Sequence, residues 1–499
     1  MTIKRREFLE RMAAMGVGAM AAGSGLTLLD PDHIDSAFAS KEHAGETLTI
    51  ITQTGPPIAS AVEASAAPFK KLTGANVKLI TQPFGSLYTK TIANFVTGGT
   101  AYDIVLGASS WLGDYNPYVV DLTPLIRKDK SIKWGDVIYQ KNGQWAGKQI
   151  AMPVDGDNQL MYYRRDILNN KSLGKEFKKK FGKALGPPQT WDDFMNIARF
   201  FGDGKHGIHG VVEAYKHGGQ AFWYYMSNCV AYCNMPGQKG GLFFDPRNLK
   251  PLVNDPGHVQ GMKNYAEALK YGPPGMINFD SNEVRQRFAH GEAVLDIDWD
   301  DTPIIGELQK DSKVKGKIGT ALLPGSHRVW DYQHHRWVTM RQLNRPAWLA
   351  FGGWAGVISK KAHNIPLAYK YLSFLASPAF SLKMVTLDNS GMNPYRLSHF
   401  SHVGAWRTAG YPSSDLGAYL AAMRRSDLDR NAVQDMRLPG AASFQDATEV
   451  AAQRVASGQA SAQSALNDLA SKWNALNSQK GHAKQLKAYR ESLNIGSTR

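Results

Sequence analysis

The sequence predicts an α/β protein of two lobes, and two observations carry the prediction. The chain has 499 residues, more than one compact core usually organises. Its first folded stretch alternates short β-branched runs with amphipathic segments. Thr47–Thr52 is apolar and short, as a buried strand is, and Gly55-Pro56-Pro57 ends it. Ile58–Leu72 follows as an amphipathic helix stopped by Thr73-Gly74. Asn76–Thr81 is a second strand, Leu87–Val96 a second helix closed by Gly98-Gly99, and Tyr102–Leu106 a third strand. This β-α-β-α-β order packs as a parallel sheet with right-handed crossovers. Ligands of such sheets sit beyond the carboxyl ends of the strands, here Gln53–Gly55, Pro83–Gly85 and Gly107–Trp111.

The pattern resumes after residue 158. Leu160–Tyr163 is strand-like, and Thr190 caps a helix from Trp191 with Asp192 and Asp193 in its first turn. Val259–Tyr271 and Val284–His290 are helices. Ala293–Ile297 is a strand running into Asp298-Trp299-Asp300-Asp301, and Ile318–Leu323 and Gly353–Ser359 are strands. Pro366–Ala376 is a helix, and the last hundred residues are mostly helical. Ser326–Leu349 shows no clear regular element. It carries Trp330, His334, His335, Trp337 and Trp348, and either covers a cleft mouth or elaborates the surface.

Residues 1–39 read as an address. Lys4-Arg5-Arg6-Glu7-Phe8-Leu9 precedes an uncharged, Gly- and Ala-diluted run from Met12 to Leu29, then Ala37-Phe38-Ala39 before Ser40. A basic start, a weak apolar run and a small-residue site define a cleavable export signal. The paired arginines resemble the twin-arginine type, which places the mature protein in the periplasm.

Composition excludes several classes. The net charge is +15, but the one dense basic run is Lys178-Lys179-Lys180, read as a solvated face; no nucleic-acid partner is expected. Two cysteines, Cys229 and Cys233, are too few for a disulfide scaffold and read as buried thiols, with a local bridge as the alternative. No zinc motif, nucleophile elbow or phosphate loop stands out, so neither metal nor cofactor is expected.

Several ordered segments resemble the extracellular solute-binding family that includes the maltose-binding proteins. They are Phe69-Lys70-Lys71-Leu72-Thr73-Gly74-Ala75-Asn76-Val77, Gly98–Val105 with Asp103-Ile104-Val105, Leu160–Leu168 with Tyr162-Tyr163 and Asp166, and Pro188-Gln189-Thr190-Trp191-Asp192-Asp193-Phe194. Phe288–Leu295 with Gly291 and Ala293, Gly352-Gly353-Trp354 with Ile358-Ser359, Ala368–Pro378 and Ala460–Leu466 complete the set. The resemblance implies a type II-like periplasmic-binding-protein fold with three crossover segments and a ligand cleft between the lobes. Lobe one is then 46–150 plus 352–394, and lobe two 156–350 plus 398–495. It further implies a monomer that captures a small polar solute, foremost a carbohydrate, for the permease subunits of an ABC importer.

A sugar site needs rings to stack on and carboxylates or amides to bridge hydroxyls. Trp111 and Asp114 follow the third strand, and Asp155 and Asp157 flank Gly156 after the first crossing. Gln220 and Trp223 follow Gly218-Gly219, where relatives present aromatics. Asp298, Trp299 and Asp300 end a strand; Gly353 and Trp354 open the return strand; Arg396 lies near the third crossing. Two alternatives remain. The same fold could take an anionic glycerol-phosphate-type ligand, a polyamine or another cation, or Asp155 with Asp298 and Asp300 could be the carboxylate pair of a secreted glycosidase.

Overall fold

A computed structural model describes residues 41–388, 390–493 and 495. The export signal of residues 1–39 lies outside them. In chain order the elements that frame the site are β1 (Thr47–Gln53), α1 (Pro56–Thr73), β2 (Asn76–Gln82), α2 (Phe84–Val96), β3 (Ile104–Ala108), β4 (Met152–Pro153) and β5 (Gln159–Arg164). They continue with α3 (Trp191–Phe201), β6 (His209–Val212), α4 (Ala221–Cys233), α5 (Pro256–Ala268), α6 (Ser281–Ala289), β7 (Ala293–Trp299) and β8 (Ile318–Ala321). Last come β9 (Ser326–Asp331), β10 (Arg336–Asn344), β11 (Trp348–Leu349), β12 (Trp354–Ile358), β13 (Val433–Gln434) and α7 (Ala441–Ala456).

Two sheets divide these strands. The first has the order β2-β1-β3-β12-β4. β1 runs parallel to β2 and to β3, and β12 antiparallel to β3. The second has the order β13-β11-β5-β7-β6, with β8 also on β5. Local chemistry explains the helices around them. Gly74 ends α1 in the left-handed region at φ 81°, its N–H donating to the Lys70 carbonyl. Ile58, Ala61, Val62, Ser65 and Phe69 are buried on one face of that helix, spaced at helical period. Thr190 and Asp193 cap α3 reciprocally, as a capping box does. Cys229 and Cys233 are buried free thiols on α4.

One segment departs from the sequence reading. Residues 326–344 form a two-stranded antiparallel ribbon, β9 on β10, joined to neither main sheet. Its strands escaped notice because β10 is wholly half-exposed or exposed up to Asn344, so no apolar alternation marks it. The ribbon packs on α4 and the start of α5. Trp330 Nε1 donates to Asp255 at 3.1 Å, and Asn344 Nδ2 donates to the carbonyls of Ala231 and Asn234 at 2.9 and 3.0 Å.

Candidate functional site

Between the two sheets, six aromatic rings meet. Phe84, at the start of α2 after β2, packs against Trp111 at 5.8 Å between ring centroids and against Trp354 at 6.5 Å. It also reaches Trp223 on α4 at 5.9 Å, a contact from one sheet's helix to the other's. Phe351 sits at the centre, 4.9 Å from Trp354, 5.5 Å from Trp223, 6.1 Å from Trp299, 5.8 Å from Phe84 and 6.4 Å from Trp111. Its backbone has φ 63°, and Gly352 and Gly353 follow at 74° and 76°. A left-handed conformation is costly for a bulky residue. Here it turns the chain so that the Phe351 ring enters the cluster.

Polar groups fringe the rings. A cavity of about 30 Å³ is lined by Gln53, Asp157, Gln220, Arg285, Asp301 and the rings of Trp299, Phe351 and Trp354 among others. It has room for a water or two. Gln220 Oε1 accepts from Trp299 Nε1 at 3.2 Å, fixing that indole. Asp157 accepts from Asn393 Nδ2 at 3.3 Å. Arg285 is the cation here: its Nη1 is 3.0 Å from Asp301 and its Nε 3.3 Å from Asp298. A larger cavity, about 710 Å³, is lined by Tyr139, Leu349, Asp427 and Asp435 among others. None of the six rings lines it, so the smaller, ring-lined space is the candidate site.

Burial sets the ionisation of the carboxylates. It pushes Asp157 up to about 8, reinforced by the charge of Asp301. Asp301 is itself raised to about 6 by burial, with Arg285 pulling the other way. Burial, with Asp157 beside it, drives Asp155 well above the ordinary carboxylate range, and burial raises Asp298 against the pull of Arg285. Asp300 is also driven well above that range, by burial first and then by Asp157 and Asp427. Burial disfavours charge on Arg285, yet Asp301 and Asp298 hold its guanidinium above its ordinary value. Of the two carboxyls that line the cavity, Asp157, raised above neutrality, can both donate and accept, which suits a hydroxyl-rich ligand.

Of the residues singled out by sequence, the structure brings Trp299, Trp354, Gln220 and Asp157 together as lining of the cavity. Trp111 and Trp223 join the ring cluster but do not line the cavity. Gly353 supports the site through its backbone, since a Cβ there would collide with the Asp155 carbonyl oxygen. Asp155 Oδ1 accepts from the Asn393 N–H at 2.5 Å, and Asp298 Oδ1 from Tyr224 at 2.5 Å. Asp300 is turned to Asn158, accepting from its N–H at 3.3 Å and its Nδ2 at 2.8 Å. Asp114 spans the two halves instead, accepting from Tyr88 at 2.8 Å and from the Gly440 N–H at the start of α7 at 2.8 Å.

Arg396 stands apart from this group. It is fully buried, donating to Asp136 at 2.9 Å and to the carbonyls of Ala376 and Ile132 at 2.7 and 2.6 Å. Its guanidinium ties loops and a helix end together. Sequence reasoning did not single out Arg285 or Phe351. Arg285 lies mid-helix in a polar run without a motif. The signal for Phe351 is the Gly352-Gly353 pair, which marks unusual backbone. Gln53 and Phe84 fall within the strand ends expected to border a ligand.

The bacterial extracellular solute-binding protein family matches residues 53–380. A Sinorhizobium fredii protein described as a "probable amino-acid ABC transporter periplasmic-binding protein" is 23% identical over 409 residues, covering 79% of this chain and 82% of its own. Among solved structures, an ABC transporter solute-binding protein of Agrobacterium radiobacter K84 in complex with ribitol superposes with a TM-score of 0.70 at 23% identity. That match covers 87% of this chain and 99% of the other. The maltose-bound MalE3 of T. maritima gives a TM-score of 0.67 at 20% identity, covering 87% and 100%.

Proposed function

Because this chain belongs to the bacterial extracellular solute-binding protein family, we propose that it captures a small sugar or sugar alcohol between its lobes and passes it to the permease of an ABC importer. The observation that carries the reading is the meeting of Trp299, Trp354 and Phe351 with Gln53, Asp157, Gln220 and Asp301 at the strand ends of both sheets. Rings take the C–H face of a polyol, and amides and carboxyls take its hydroxyls. The ribitol and maltose complexes of similarly folded proteins support the class.

The lobes are 46–150 plus 352–394 and 156–350 plus 398–495, with the ligand between them. The cavity of about 30 Å³ is too small for a sugar, so entry requires the Phe84–Trp223 contact to part in a hinge motion. Capture without turnover is the activity: the family is one of solute-binding transport proteins. The protein acts as a monomer and reaches the periplasm by the twin-arginine route, through Arg5 and Arg6. Replacing both by lysine should leave it in the cytoplasm.

The test is a panel of pentitols, hexitols, hexoses and disaccharides read by thermal shift and tryptophan fluorescence. A polyhydroxylated ligand should raise the melting temperature and perturb the fluorescence. A second reading is favoured by one feature, the buried Arg285–Asp301 pair at the cavity. Such a pair can meet the carboxylate and ammonium of an amino acid, the solute class in the description of the Sinorhizobium relative. A response to amino acids alone would replace the sugar reading with this one.

A further inference from the structure

Helix α4 begins without a cap of its own. The first N–H groups of a helix need acceptors, and the side chain at the cap position usually supplies one. Here that residue is Gln220, and its side chain makes no capping hydrogen bond. It turns to the cavity instead, where Oε1 accepts from Trp299 Nε1 at 3.2 Å. Among the described residues this is the one hydrogen bond its side chain makes, so Nε2 is left as a donor at the cavity. The backbone of Gln220 has φ 74°, a left-handed conformation that a residue with a Cβ disfavours. An uncapped helix end on such a residue would fray.

Glu449, on α7, supplies what Gln220 does not. It is buried, its Oε1 accepting from the Phe222 N–H at 3.1 Å and its Oε2 from the Gly218 N–H at 2.6 Å. The two bonds grip the chain on both sides of Gln220. A carboxylate at this place also meets the positive end of the helix dipole. Gly219, between the two bonds, is held just as closely: a Cβ there would lie 2.8 Å from the Asp280 Cβ. A serine or aspartate at 220 would cap α4 locally, but its side chain would be spent on the helix. A cap reaching in from α7 releases the side chain at 220 for the cavity. We propose that Glu449 is a positioning residue of the solute site, holding the 218–222 turn so that the Gln220 amide fixes the Trp299 indole and meets the solute. The solute half of this inference rests on the sugar reading given above.

The test reads the Trp299 indole N–H by NMR of the solute-free protein labelled with ¹⁵N-tryptophan. Its resonance is the one missing from Trp299→Phe. The measurement is made at pH 8, above the value of about 7 to which burial raises Glu449. Glu449→Gln turns an amide NH₂ toward one of the two N–H groups, and the resonance should move upfield, toward its place in Gln220→Gly. In the Gln220→Gly background, Glu449→Gln should move it no further. Glycine accepts φ 74° without strain, so this pair of variants gives the same comparison should Glu449→Gln alone not fold. Thr190→Ala removes the cap of α3 and should leave the resonance in place. The same Glu449→Gln change should weaken ribitol binding about fivefold, the worth of one hydrogen bond. A resonance unmoved by Glu449→Gln, one moved equally in the Gln220→Gly background, or an unchanged ribitol affinity overturns the proposal. If the wild type binds neither ribitol nor maltose, the sugar reading fails, and the resonance still decides whether Glu449 positions Gln220.

Discussion

Replacing Asp427 by asparagine should leave the protein as stable or make it more stable at pH 8. Asp427 is buried, its Oδ1 accepting from Tyr139 at 2.7 Å and from Asn158 Nδ2 at 3.1 Å, while Oδ2 has no protein partner. Burial raises its carboxyl to about 8, against an ordinary value of about 3.9 in an unfolded chain. The folded state therefore keeps a proton that the unfolded state has released. Stability must fall as pH rises from about 4 to about 8, by up to about 1.4 kcal/mol per pH unit for this group alone. Between pH 5.5 and 8 that amounts to about 3 kcal/mol. Asparagine keeps the accepting oxygen and cannot ionise, so Asp427→Asn should flatten the stability–pH curve across this window. Urea unfolding of the wild type and the variant at pH 5.5, 6.5 and 8 measures it. A variant that loses more than about 1 kcal/mol at pH 8, on the scale of one hydrogen bond, would show that Asp427 is ionised and stabilising, and would refute the reasoning. Asp427→Ala should be destabilising at every pH, by about 1–3 kcal/mol, because Tyr139 and Asn158 lose their acceptor in the interior.

Other substitutions separate the site from its support. Arg285→Met should cost about 3–5 kcal/mol by leaving Asp298 and Asp301 buried without their cation, and it should also weaken ligand binding; chemical denaturation and ligand titration read the two effects. Arg396→Met should cost a similar amount of stability while leaving ligand affinity in the folded fraction unchanged, since its partners are Asp136 and main-chain carbonyls. Gly353→Ala should lower the melting temperature sharply, because φ 76° and the Asp155 carbonyl leave no place for a methyl group. Trp299→Ala should abolish ligand-induced thermal shift with the protein still folded, whereas the same change at Trp337 should leave the shift intact.

The fold was legible where one face of each element is buried. Asp103-Ile104-Val105 and the cap at Thr190 announce their elements because apolar runs and capping side chains leave local signatures. The ribbon did not, because its strands pair with each other in solvent and their outward positions carry arginine and histidine. The site was half legible for a similar reason. Trp299 and Gln220 stand where strands and helices begin or end, so topology alone directs them to the cleft. Asp114, Asp300 and Arg396 have the same local signature as binding residues. Only tertiary contacts show Asp114 at the start of α7, Asp300 on Asn158 and Arg396 among carbonyls.

The acidity of the cleft and the basicity of the chain are two consequences of one separation. Asp155, Asp157, Asp298, Asp300, Asp301 and Asp427 are all buried around the crossings, with Arg285 as the cation among them. Charge that would repel in such a cluster is removed in two ways: burial raises Asp157 and Asp427 to about 8, and Arg285 pairs with Asp298 and Asp301. What remains on the outside is an excess of lysine and arginine. A polyol entering the cleft therefore meets rings, amides, the protonated Asp157 and an arginine already paired, while an anion is drawn first to the exterior. A phosphorylated sugar would need a cation in the cleft beyond the one already committed to Asp298 and Asp301. Phosphorylated analogues of any sugar that binds should accordingly bind at least tenfold more weakly, and equal or tighter binding would show that Arg285 releases its aspartates to the ligand.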